Sequence, residues 1–150
     1  MIVSPEGLDI IKSHEGLRLS AYQDSVNVWT IGYGTTSNVK PGQTISLQQA
    51  EEFLRRDVRV FEAAVKANIT VPLAQNQYDA LVSLVYNIGP GNFKKSPVVK
   101  AVNTQAPDKV LEAAFLYHSY GRGGVFLNGL KKRRLKEFEL FKKKTQEPTV

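Results

Sequence analysis

Hydrophobic positions in this chain change period as they are followed from the N-terminus. Leu8 and Ile11 are spaced as on one face of a helix, and Ser4-Pro5-Glu6 supplies its start. Ser4 serves as N-cap, Pro5 takes the first helical position and Glu6 lies in the first turn. This helix is expected to run to about His14, with Gly16 helping to end it. Leu17, Leu19 and Ala21 then alternate with polar residues, and Trp29, Ile31 and Tyr33 alternate with Thr30, Gly32 and Gly34. With Ser25-Val26-Asn27 as the turn between them, the alternation predicts a β-hairpin. A third short strand is expected around Asn38 to Lys40, ahead of the Pro41-Gly42 turn.

From Ser46 the helical period returns. Ser46 and Gln49 have the spacing of a capping box, and Ala50, Phe53, Leu54, Phe61, Ala64 and Val65 share a face, which predicts a long helix to about Ala67. Four shorter helices are expected after it. Ala74 to Asn87 is stopped by Gly89; Ser96-Pro97 opens one that ends near Asn103; the last two span Pro107 to His118 and Leu130 to Lys143. Gln146 to Val150 is expected to fray. The sum is an α+β chain, with strands and helices segregated. It reads as one domain over residues 1–150, with a β-containing lobe over about 15–45, a helical lobe over about 68–145 and a long connecting helix. A cleft between two lobes is a common place for a ligand.

The chain of 150 residues is 42% hydrophobic and 23% charged, an ordinary balance for a globular domain. It has no cysteine, so neither a disulfide framework nor a thiolate metal site is available. Its histidines are His14 and His118, too few for a zinc site without carboxylate help; no metal and no cofactor are expected. The N-terminal residues carry no basic segment followed by an apolar run, so neither a signal peptide nor a transmembrane segment is expected, and the protein should start out in the cytoplasm. A net charge of +6 and a pI near 9.6 favour anionic partners such as nucleic acid, acidic membranes or anionic wall polymers. The basic residues concentrate in Lys131-Lys132-Arg133-Arg134, Lys136 and Lys142 to Lys144, which read as a solvated helix surface with some attraction to an anionic wall.

Most acidic residues, including Glu51, Glu52, Asp57 and Glu137, stand beside basic residues in helical runs and read as solvated faces. Glu15 and Asp24 differ because they fall at the ends of elements, where side chains can point into a cleft. Closing the hairpin around residues 25–27 would bring Asp24 and Thr30 near each other, and Gly32 and Gly34 would leave room for a bulky ligand. Glycosidic cleavage needs an acid on the leaving oxygen and a second carboxylate that activates water or stabilises positive charge. A partly buried Glu keeps its proton near neutral pH while a solvated Asp stays ionised, and a Thr hydroxyl can hold the water. The residues alone leave a bland alternative open, with Glu15 capping or salt-bridging the end of the first helix, Asp24 an ordinary turn residue and Thr30 an ordinary strand residue.

The stretch Glu15-Gly16-Leu17-Arg18-Leu19, Ala21-Tyr22-Gln23-Asp24 and Trp29-Thr30-Ile31-Gly32-Tyr33-Gly34 resembles the active-site signature of phage-type lysozymes, the endolysins of glycoside hydrolase family 24. That pattern is Glu, eight residues, Asp, five residues, Thr, and Glu15, Asp24 and Thr30 match it without a gap. Residues 80–89, Asn92-Phe93 with Ser96, and Gly129 to Arg134 with Glu137 and Phe141 extend the resemblance over roughly Ser4 to Phe141. It implies a lysozyme-like fold and a muramidase that cuts the β-1,4 bond between N-acetylmuramic acid and N-acetylglucosamine of peptidoglycan. Glu15 would be the general acid, with Asp24 and Thr30 activating and placing water. Tyr86, Asn87 and Ser96 are candidates for sugar contacts. The family is described as inverting, for which carboxylates about 6.5–9.5 Å apart are expected.

Two departures stand out. Thr35 replaces a His found in many members, so an ion pair seen in some relatives is expected to be absent. Several members have Trp in the penultimate helix, and here Tyr117 and Tyr120 are nearby. His14 is expected to point away from Glu15, because adjacent helical residues do not share a face. The resemblance also implies a monomer without specific nucleic-acid contacts, released from the host cytoplasm to the wall once the membrane is permeabilised, with a holin as partner. The rival readings are a non-catalytic wall-binding module and a basic nucleic-acid-binding module, although no nucleic-acid-binding signature is present. Hydrolysis is favoured over transglycosylation because Asp and Thr both assist a water.

Overall fold

The helix over Gln75–Ile88 is the centre of the molecule: Tyr78 and every residue from Ala80 to Val85 are buried, around its whole circumference. Such a helix needs neighbours on all sides. In the computed structural model, which describes residues 1–144, α1 (Pro5–Glu15), α2 (Leu47–Asn68) and α7 (Asn128–Lys142) pack around this α3. The expected fraying of Gln146 to Val150 lies outside the described residues. α4 (Pro90–Lys94), α5 (Pro97–Asn103) and α6 (Asp108–Leu116) complete the helical part, and β1 (Arg18–Gln23) and β2 (Trp29–Gly32) form an antiparallel pair.

The caps follow the sequence. The Ser4 hydroxyl accepts from Gly7 N and Pro5 opens α1. Ser46 and Gln49 form the reciprocal capping box of α2. Each such cap is worth about 1 kcal/mol to its helix. Gly16 and Gly89, at φ 73° and 87°, end α1 and α3 in a backbone conformation that L side chains rarely adopt. α2 runs one residue past expectation, to Asn68, and buries Ala50, Leu54, Val58, Glu62 and Val65 at helical spacing. Residues 90–94, for which the sequence pattern predicts no element, form α4, which starts at Pro90 and buries Phe93.

The β part departs furthest from expectation. Leu17 and Leu19 are exposed, at 38% and 41%, so their alternation does not mark a buried face. A two-stranded ribbon has core on one side only where a helix covers it, and here α2 covers β2. Ile31 and Thr30, on opposite faces of β2, are both buried. No strand forms at 38–40. The outer side of β1 pairs instead with residues 43–45, where Ala21 N donates to Gln43 O (2.9 Å) and Ile45 N donates to Leu19 O (2.9 Å).

The basic run is likewise not a uniformly solvated surface. Lys131, Lys132 and Lys136 are exposed, whereas Arg133 and Arg134 are buried at 3% and 0% together with Glu137 at 0%. Residues 133, 134, 137, 138, 140 and 141 share the face of α7 that turns inward. Two guanidinium groups survive there because Glu137 lies between them, with Arg134 Nε at 2.8 Å and Arg133 Nε at 3.3 Å.

Candidate active site

Glu15 is the last residue of α1, and Gly16 turns the chain away immediately after it. Its side chain is 22% exposed, and its Oε2 lies 3.4 Å from Arg133 Nη1. Arg133 is held in turn by Glu137 and by the Ser83 carbonyl, which accepts from its Nη2 at 3.1 Å. The Ser83 hydroxyl donates to Glu137 Oε2 at 2.5 Å. A rigid network from α3 and α7 therefore aims one cation at Glu15. Burial raises the Glu15 carboxyl above the usual carboxylate range; the positive charges of Arg133, His14 and Arg134 pull it back without cancelling the rise. His14 Nδ1 lies 2.8 Å from Ile10 O one turn back, so the ring contacts its own helix.

The hairpin brings Asp24 and Thr30 to one face. Tyr22 pairs with Thr30 and Gln23 with Trp29, while Asp24 N donates to Val28 O at 3.0 Å. Side chains alternate along a strand, so 22 and 24 share the face of 30 and 28, and Asp24 and Thr30 are diagonal neighbours on it. Both converge on Val28. Its amide donates to Asp24 Oδ1 (2.9 Å), as does the Val26 amide (2.9 Å), and its carbonyl accepts from the Thr30 hydroxyl (2.9 Å). The Thr30 proton is thereby occupied, and its oxygen remains an acceptor. Asn27, at φ 64°, makes the tight turn that this cradle needs.

The three remaining candidates separate. The Tyr86 hydroxyl donates to the Tyr33 carbonyl at 2.6 Å, and its ring meets Phe61 edge-on at 4.8 Å. Exposed Asn87 and buried Ser96 line a different space, a cavity of about 850 Å³ shared with Lys95, His118, Tyr120 and Arg122. Ser96 caps α5 by accepting from Val98 N (3.0 Å), and its hydroxyl lies 2.6 Å from His118 Nε2. Burial, assisted by Arg134, lowers His118 to about 4, so the ring is neutral in ordinary conditions. Thr35 does not pair as a cation would, but its hydroxyl donates to Asp57 at 2.6 Å, which places Asp57 against the hairpin exit and not on a solvated face. Tyr117 and Tyr120 are largely exposed. Among the described residues no group of three or more His, Asp or Glu side chains is arranged to hold a metal ion.

A sequence model described as Phage lysozyme matches residues 12–137, a stretch that includes Glu15, Asp24, Thr30 and the Arg133–Glu137 turn of α7. The chain belongs to the phage lysozyme family. It is 50% identical over 103 residues to an endolysin of Acyrthosiphon pisum secondary endosymbiont phage 1, covering 69% of this chain and 70% of that one. It is 41% identical over 144 residues to the endolysin of Bacillus phage PZA, covering 94% of this chain but 55% of the relative, so it spans little more than half of that protein's length. Among solved structures, the endolysin from Escherichia coli O157:H7 phage FAHEc1 superposes with a TM-score of 0.86 at 42% identity, covering 94% of this chain and 93% of that one. The lysozyme-like α+β architecture is thus that of its family. Arg133 and Glu137 escaped the sequence reading as parts of the site. Their signal was their spacing with Phe138 and Phe141, which puts them on the inward face of α7.

Proposed function

We propose that this chain is an endolysin muramidase that hydrolyses the β-1,4 bond between N-acetylmuramic acid and N-acetylglucosamine in peptidoglycan. The observation that carries this reading is a carboxyl, Glu15, whose titration burial raises above the ordinary carboxylate range, in the same family motif as a hairpin face bearing Asp24 and Thr30. Glu15 protonates the glycosidic oxygen as the bond to C1 breaks. Asp24 takes one proton from the attacking water, and the Thr30 oxygen accepts a hydrogen bond from the other O–H, which stays on the oxygen bonded to C1. Attack from the face opposite the leaving group inverts the anomeric centre, so a β-linkage gives an α-product. Asn87 and Ser96 open onto the cavity beyond α3, which extends the surface available to the glycan strand and its peptides.

The positive charge keeps the monomeric enzyme on an anionic wall without selecting nucleic acid. Among the described residues no helix is long and apolar enough to cross a membrane. Passage from the host cytoplasm to the wall is assigned to a membrane lesion such as a holin makes. The test is release of reducing ends from purified peptidoglycan, with the anomer identified by NMR. Wild type should release α-configured reducing ends, and Glu15→Gln should release about a thousandfold fewer. A folded wild type that binds the wall and releases none would leave a binding module.

A further inference from the structure

Three groups from separate elements meet at one point beside Glu15. The Tyr86 hydroxyl comes from α3, the Tyr33–Gly34 backbone from the exit of β2, and the carboxyl from the end of α1. Gly34 marks the point. A Cβ built on it would lie 3.5 Å from the Tyr86 hydroxyl oxygen and 4.0 Å from Glu15 Oε1. At φ 96° the residue also holds a conformation that L side chains rarely adopt. The Tyr86 ring is fixed from a fourth element, against Phe61 of α2. The hydroxyl therefore has little freedom, and its proton is committed to the Tyr33 carbonyl at 2.6 Å.

We infer that Tyr86 is a positioning residue for the general acid: its hydrogen bond to Tyr33 holds the hairpin exit against Glu15 and limits the water that reaches the carboxyl. This rests on the reading of Glu15 as the acid. The charges that act on the carboxyl are Arg133 and Arg134 from α7 and His14 from its own helix; Tyr86 from α3 adjoins it, with Asp57 of α2 acting on Tyr86. Arg133 favours the ionised form, so the protonated form depends on the desolvation that the closed exit supplies. The latch itself does not open with pH. Burial, Glu15 and Asp57 all hold the Tyr86 phenol well above its ordinary range, so it keeps its proton throughout.

Tyr86→Phe keeps the ring against Phe61 and removes only the donor. More water then reaches Glu15, the carboxyl ionises at lower pH, and the alkaline limb of the pH–rate profile moves to the acid side by about half a unit or more. At pH 7 kcat should fall by up to about threefold for each half unit of displacement, while KM changes less than about twofold, because binding surface is untouched. A loss of thermal stability alone would leave the limb in place at temperatures where the variant is folded. An unmoved limb, or one displaced to higher pH, overturns the inference whatever happens to kcat. If Tyr86→Phe does not fold, Gly34→Ala reaches the same junction from the hairpin side. Its limb should also move to the acid side, and one that stays put or moves to higher pH overturns the inference equally. Glu15→Gln in parallel separates the two claims. If that variant is as active as wild type, the assignment of the acid has failed; if it is inactive while the Tyr86→Phe limb stays put, only the latch has.

Discussion

Replacing Arg133 with Met should move the alkaline limb of activity to higher pH, the opposite direction from loosening the Tyr86 latch. Arg133 Nη1 stands 3.4 Å from Glu15 Oε2. At that distance two unit charges attract by about 1.2 kcal/mol in bulk water and about 5 kcal/mol at an effective dielectric near 20. The Glu15 side chain keeps 22% exposure, and Arg133 shares its charge with Glu137 at 3.3 Å, so the lower part of that range applies. A loss of about 1.5–3 kcal/mol corresponds to about one to two pH units. Removing a cation that favours the carboxylate raises the pKa further, so the acid stays protonated to higher pH. Met keeps the length and apolar body of the side chain. The Ser83 carbonyl loses its donor, at a cost of about 1–3 kcal/mol in stability, while Glu137 keeps Arg134 and the Ser83 hydroxyl. The assay is kcat/KM for reducing-end release between pH 4 and 9, at a temperature where circular dichroism shows the variant folded. A limb that stays put or moves to lower pH would refute the view that Arg133 restrains Glu15.

Glu15→Gln should raise stability at pH 7 while abolishing activity. The folded carboxyl titrates above its ordinary 4.5, so between those values the folded state binds the extra proton and wild-type stability falls as pH rises. The advantage of the variant in urea melts should therefore grow as pH rises above about 4.5 and vanish below it; an equal or lower midpoint at pH 7 would contradict it. His118 works in the other direction. With its folded value down to about 4 against an ordinary 6.5, its contribution is complete above 6.5 and is lost as pH falls towards 4, by at most about 1.4 kcal/mol per pH unit. His118→Gln should flatten the wild-type slope in that window, measured as the difference between the two proteins' urea midpoints.

The elements that sequence reading placed well are those whose signals are local. Ser4-Pro5 and Ser46…Gln49 mark helix starts by hydrogen bonds made within one turn, and Gly16 and Gly89 mark ends by a backbone conformation. The motif spacing of Glu15, Asp24 and Thr30 is local too, because a helix end and one hairpin carry all three residues. Failures came where the partner is distant in sequence. Leu17 and Leu19 alternate as inward residues should, but nothing in residues 17–35 reveals that α2 covers β2 and leaves β1 open. Arg133 reads as one of a basic run, yet its position is decided by Ser83, 50 residues away, and by Glu15, 118 residues away.

The departures share a physical cause that bears on function. Inward-facing charge is ordinarily selected against, because each buried ion costs several kcal/mol unless paired. On α7 the inward face nevertheless alternates Phe138 and Phe141 with Arg133, Arg134 and Glu137, and the pairing consumes most of that charge within the helix itself. What is left over is one guanidinium edge, directed at Glu15. Against it stand the burial of the carboxyl and the Tyr86–Tyr33 closure. The titration of Glu15 is set by the balance of these two opposed influences, so a substitution on either side should move it, one up and the other down. A single basic neighbour placed for structural reasons would give no such pair of opposite shifts.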